Sequence, residues 1–257
     1  MHRPFQRLAF ILTGTTLFHL HSEAQLEVNT SMTPAAMVQN ILVGQGITVS
    51  NLVFNGSPAT SLNDQVGAFD GSTSNIGMLN GIVLSTGRVV GVSGSNQNPG
   101  LTLSPSVPLN VPDPDLARFV TSQKCIAALE FDFIPTGDSL SFRFVFGSEE
   151  YPEYVCTQFN DVFGFFLSGP GLNGPFTNNG INLAVLPNTA IPIAVNTVNS
   201  GQPGAFGGSA STCAASDPNW QANSVYYVDN QTGATVELDG FTIPIHTGAV
   251  VQCGQTY

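Results

Sequence analysis

The stretch LEFDFIPTGDSLSFRFVF, residues 129–146, decides the fold. Leu129, Phe131 and Phe133 alternate with Glu130 and Asp132. After Pro135-Thr136-Gly137-Asp138, the residues Leu140, Phe142, Phe144 and Phe146 alternate with polar Ser141 and Arg143. A period of two puts the apolar side chains on one face and the polar ones on the other, the pattern of half-buried antiparallel strands. Taking Pro135 to Asp138 as a hairpin loop predicts Ile134 opposite Ser139. Phe131 then faces Phe142 in the core, and Glu130 faces Arg143 outside, an ion pair worth less than about 1 kcal/mol.

The same punctuation continues outward. Residues 162–168 alternate with Phe163, Phe165 and Leu167 on one face. Further strands are predicted over 47–54, 81–86, 181–186, 191–195, 225–229, 235–238 and 241–245, with Asp239-Gly240 as a hairpin turn between the last two. Helix is scarce. Thr33-Pro34 opens one short helix, with Met37, Val38, Ile41 and Leu42 as its apolar face. Asp113-Pro114-Asp115 opens another. Residues 87–112 and 196–218, rich in Gly, Ser, Asn and Pro, read as surface loops. The pattern predicts an all-β chain, an antiparallel β-sandwich or jelly roll with two short helices. One domain is expected over residues 25–257, since no later stretch reads as a linker or a repeat.

Residues 1–24 are read as a secretory signal peptide. Arg3 and Arg7 form its basic start, residues 8–20 its apolar stretch, and Ser22 and Ala24 the small residues before the cleavage site. No later stretch is apolar enough to span a membrane. The chain has a formal net charge of −11, which disfavours nucleic acid and anionic lipid as partners. Cys125, Cys156, Cys213 and Cys253 form an even set. In an exported protein this predicts two disulfides with three possible pairings, one of which would tie Cys156 to Cys213. Their wide spacing argues against zinc.

Charge makes up 9% of the chain, yet FGSEEYPEYVCTQFND, residues 146–161, holds four acids. Glu149, Glu150, Glu153 and Asp161, with the Asn160 amide, offer oxygens of the kind Ca²⁺ takes in shells of six to eight. The alternatives are a solvated loop whose acids accept backbone N–H bonds and a carboxylate pair for hydrolysing glycosides. Tyr151 and Tyr154 flank the acids and suit contact with a ligand. Beyond the signal peptide the only histidine is His246. No G-x-S-x-G elbow or phosphate-binding loop is present, which leaves little for ordinary nucleophilic hydrolysis.

FVFGSEEYPEYV followed by FNDVFGFFLSGPG resembles the signature of the choice-of-anchor L domain. So do NGSPA with GSTSNIGMLNGIVLSTG, and YYVDN with VELDGFT. The resemblance spans about residues 29–257. It implies an exported or cell-surface bacterial module with no assigned enzymatic activity, and places the family's acidic motif on Glu149, Glu150, Asn160 and Asp161. In relatives a segment like VQCGQTY runs on into a further strand pair and a sorting tail, which leaves room for C-terminal strands beyond Tyr257. The expected function is a secreted or cell-surface binding or adhesion module, stabilised by calcium, for a glycan or protein ligand. A secreted polysaccharide hydrolase and a structural spacer are the rival expectations.

Overall fold

Most of the alternating segments form strands, and every strand pair is antiparallel; the segment 235–238 does not, Val236 making only an isolated bridge to Ser93. The computed structural model describes residues 25–44, 46–98, 100–101, 103–108 and 112–257. The predicted signal peptide, residues 1–24, lies outside the described residues. The strands in chain order are β1 (Glu27–Asn29), β2 (Thr48–Phe54), β3 (Ser57–Pro58), β4 (Val66–Asp70), β5 (Asn80–Leu84), β6 (Leu129–Ile134), β7 (Ser139–Phe144), β8 (Gly147–Ser148), β9 (Val162–Phe163), β10 (Phe166–Leu167), β11 (Ile181–Asn182), β12 (Ile193–Ala194), β13 (Tyr227–Asp229), β14 (Gly240–Thr242) and β15 (Ile245–Val250). They pair as β1–β4–β5, β3–β2–β6, β7–β15, β13–β14–β8, β9–β12 and β10–β11. The fold is all-β, as the periodicity predicts.

Helices are short. In α1 (Pro34–Met37), the Thr33 hydroxyl accepts the Ala36 N–H and Pro34 supplies a preset φ at the first turn. The second predicted helix is a single 3₁₀ turn, Leu116–Arg118, where Asp113 Oδ1 accepts the N–H groups of Asp115 and Leu116.

The predicted 129–146 hairpin is corrected. β6 pairs with β2, placing Glu130 opposite Val53, while β7 pairs with β15, placing Arg143 opposite His246. The Phe131–Phe142 and Glu130–Arg143 cross-strand pairs do not form. Instead Phe131, Leu140 and Phe142 pack against one cluster built on Phe133, Leu167, Leu183, Val251 and Tyr257. The chain thus crosses at Pro135–Asp138 from one sheet to another, and the two apolar faces meet in the core. Alternation specifies which face is buried. It does not specify which neighbour completes the backbone hydrogen bonds, because every strand offers the same N–H and C=O groups. Tyr257 also joins this edge: its N–H and C=O exchange hydrogen bonds with Phe133 at 2.9 and 2.8 Å.

Further expectations change. Asp239-Gly240 is not a turn; Gly240 begins β14 and pairs on both sides. The 162–168 segment is divided into β9 and β10. The 196–218 segment is not a surface loop at its start, since Asn196, Thr197, Val198 and Asn199 are buried. Their amides do the work of a strand partner. Asn196 accepts the Cys156 N–H at 2.7 Å and donates to Thr157 O at 2.8 Å, and Asn199 donates to Val195 O at 2.8 Å. Buried backbone groups must be satisfied, and short polar side chains can satisfy them where strands stop. The same segment contains α2 (Ala210–Ser216), which brings Cys213 into the largest core cluster beside Cys156, Tyr151 and Trp220.

Candidate functional site

The acidic stretch begins where β8 ends. β8 pairs with β14 through Ser148 opposite Gly240, and β13 pairs with β14 through Asp229 opposite Gly240. One step beyond these pairs, the Asn230 N–H donates to Asp239 O at 2.9 Å, and Glu149 follows Ser148 off the end of β8, within coulombic reach of Asp239. Two carboxyl groups within reach of each other make it costlier for both to ionise.

Asp239 is only 1% exposed. Its Oδ1 accepts from Asn96 Nδ2 at 2.7 Å, and the same amide donates to Asn230 O at 3.0 Å. Its Oδ2 has no partner among the described residues. The other buried side-chain oxygens without a partner there are Glu149 Oε2 and the Tyr227 hydroxyl, and Asp239 lies within coulombic reach of both. Burial, and then the charges of Asp239, Glu237, Glu153 and Asp161, push the Glu149 carboxyl up to about 8. Burial, then Asp161 and Glu153, push Glu150 up to about 7. Burial likewise raises Asp239, against the lowering effect of the Asn96 hydrogen bond.

The sequence-predicted residues divide. Glu149, Glu150, Glu153 and Asp161 come together. Asp161 Oδ2 accepts the Ser148 hydroxyl at 2.7 Å, and Asn160 Oδ1 accepts the Asn196 N–H at 2.9 Å, so both already serve the fold. Tyr151 is corrected as a ligand contact: it is 0% exposed, and its hydroxyl donates to Val198 O. Tyr154 stays half-buried at the surface, its ring centroid 5.2 Å from Phe159 and 5.3 Å from Phe206. Glu237, Asp239, Tyr227 and Asn96 were missed. The signal was available in YYVDN and VELDG, where three more acids occur with no cation near them in sequence. Among the described residues no three His, Cys, Asp or Glu side chains already stand gathered as a metal-ligating set.

Beside the acids, the chain is stapled. Cys156 and Cys213 form a disulfide. The predicted second bridge is absent: Cys125 and Cys253 are free thiols. Residues 204–209 run along 153–156, with Gly204 N–H donating to Val155 O, Phe206 N–H to Glu153 O and Ser209 N–H to Cys156 O. This fixes Phe206 next to Tyr154. Phe159 and Phe206 are 50% and 63% exposed.

Among the described residues no helix is long and apolar enough to cross a membrane. The family model described as Choice-of-anchor L domain matches residues 26–257. No curated protein and no solved structure matches the chain.

Proposed function

The chain belongs to the choice-of-anchor L domain family, and from that premise we propose that it is a non-catalytic binding or adhesion module. The family and the Cys156–Cys213 disulfide point to a cell-surface or exported protein. The observation that supports a binding role is the aromatic face formed by Tyr154, Phe159 and Phe206. Two phenylalanines at least half exposed on a disulfide-anchored loop pair leave apolar area in water. Rigid rings of this kind suit stacking on a sugar ring or packing on a protein surface, since little side-chain entropy is lost on contact. The adjoining carboxylates would give that face its polar rim.

The test is to screen the purified protein against a glycan array and a panel of extracellular proteins, and to assay the same glycans for cleavage. Binding without cleavage is expected, and Phe159→Ser with Phe206→Ser should weaken it about tenfold or more. Glycan cleavage would replace this reading with the hydrolase. Absence of any binding would replace it with the spacer.

A further inference from the structure

The backbone fixes the exposed rings at Tyr154, Phe159 and Phe206. Thr157 ties the first two together: its hydroxyl donates to Tyr154 O at 2.7 Å and accepts the Phe159 N–H at 3.0 Å. Phe206 rides on the segment bonded along 153–156. A Cβ at Gly204 would run into Glu153 O, and one at Gly208 into Val155 O, so two glycines let that segment lie close. The Tyr154 ring is inclined by 74° to Phe159 and by 50° to Phe206. Tyr154 therefore shares no platform with either neighbour for a flat ligand. A compact cation needs no platform, since it is attracted by each ring face it meets. The charge around the rings is of one sign. Residues 144–245 carry eight acids and no Lys, Arg or His, and all three rings belong to that stretch. Glu153 precedes Tyr154, and its backbone carbonyl accepts the Phe206 N–H at 3.0 Å, while the Glu150 carbonyl accepts the Tyr154 N–H at 3.0 Å. Both glutamates are half-buried. At Phe176 the chain supplies a cation of its own, the Arg118 guanidinium 5.4 Å from the ring centre.

We propose that the face formed by Tyr154, Phe159 and Phe206 docks a protein partner through an arginine side chain of that partner, with Glu150 and Glu153 as its acidic rim. This rests on the binding-module reading and narrows it from an unspecified ligand to a basic protein segment. The guanidinium is planar, stacks on aromatic faces and is more weakly hydrated than an ammonium group, so it gives up less water on docking. Its N–H groups also suit a carboxylate at the edge of the rings. The two kinds of residue divide the work. The acids draw a basic surface in and set the rate of encounter, and the fixed rings hold what arrives at little cost in side-chain entropy.

The experiment is calorimetric titration of the purified protein with the capped peptide Gly-Arg-Gly-Arg-Gly and with two versions of it, one carrying lysine and one carrying uncharged citrulline in place of both arginines. The arginine peptide is expected to bind most tightly and the citrulline peptide most weakly. Binding should fall as sodium chloride rises from about 50 to about 500 mM. Phe159→Leu with Phe206→Leu keeps apolar bulk and removes two rings; it should lower affinity for the arginine peptide about fivefold or more. Glu153→Gln, which leaves the rings in place, should lower it about twofold or more. Asp138→Asn, in the exposed loop between β6 and β7, should leave it unchanged, which separates docking from general attraction to an acidic protein. Equal binding of the lysine or citrulline peptide, full affinity in the leucine variant, or an equal loss in Asp138→Asn would overturn the proposal. An uncharged glycan that binds where the arginine peptide does not would overturn this inference and leave the binding-module reading standing. Failure of every peptide, glycan and extracellular protein would overturn both.

Discussion

Gly240 stands where a side chain has no room. A Cβ there would lie 2.7 Å from the Tyr227 ring and hydroxyl and 2.9 Å from the Tyr151 ring. Those two rings are 4.9 Å apart, centroid to centroid. The residue therefore serves close packing of β14 beneath two tyrosines, and the Asp-Gly pair that reads as a turn signal is a packing signal instead. Gly240→Ala should destabilise the protein by about 1–3 kcal/mol through overpacking. Urea unfolding checks this, and an unchanged midpoint would show that the rings can yield. The neighbouring Asp239 owes its burial to the same arrangement, since both strands flanking β14 are in place only if Gly240 admits them.

Among the elements, the disulfide joins the acidic turn to α2. Cys156 and Cys213 are 57 residues apart in sequence, and closing a loop of that length removes entropy from the unfolded chain. Cys156→Ala with Cys213→Ala should cost roughly 2–4 kcal/mol in urea unfolding. A loss well below that would mean the buried Asn196 and Asn199 network holds the segment alone. The same element explains the thiol count. Under denaturing conditions without reductant, two free thiols per chain should titrate, those of Cys125 and Cys253. No titratable thiol would mean that these cysteines pair. Composition could set the even number of cysteines. Pairing required Cys156 and Cys213 to fold into the same core cluster, where both are buried.

For the whole molecule, the acidic balance becomes a pH dependence. Glu149 in the native state holds its proton up to about 8 and Glu150 up to about 7, against an ordinary value of 4.5. Between these values the native state binds more protons than the unfolded chain. Stability must then fall as pH rises. In EDTA the melting temperature should therefore drop from about pH 5 to about pH 8, and Glu149→Gln should flatten that drop. The groups facing Glu149 are Asp239, Glu237, Glu153 and Asp161, all acids, so no neighbour reverses the sign. A wild-type profile that is flat or rises over this range would contradict it.

How much was legible follows from what repeats locally. The period of two at Phe131 and Phe133, and again at Phe142 and Phe144, determined the strands and the all-β class, because facing is a property of consecutive residues. Thr33-Pro34 likewise determined α1, whose cap lies within one turn. The crowding of Glu149, Glu150, Glu153 and Asp161 marked one side of the candidate site. Tertiary structure decided the rest. The partners of β6 and β7, the burial of Tyr151, the Cys156–Cys213 bridge and the arrival of Glu237 and Asp239 beside Glu149 all join residues distant in sequence. Backbone hydrogen bonds are alike at every strand. Which strands meet is therefore settled by how all the apolar faces pack at once, and no single segment records that.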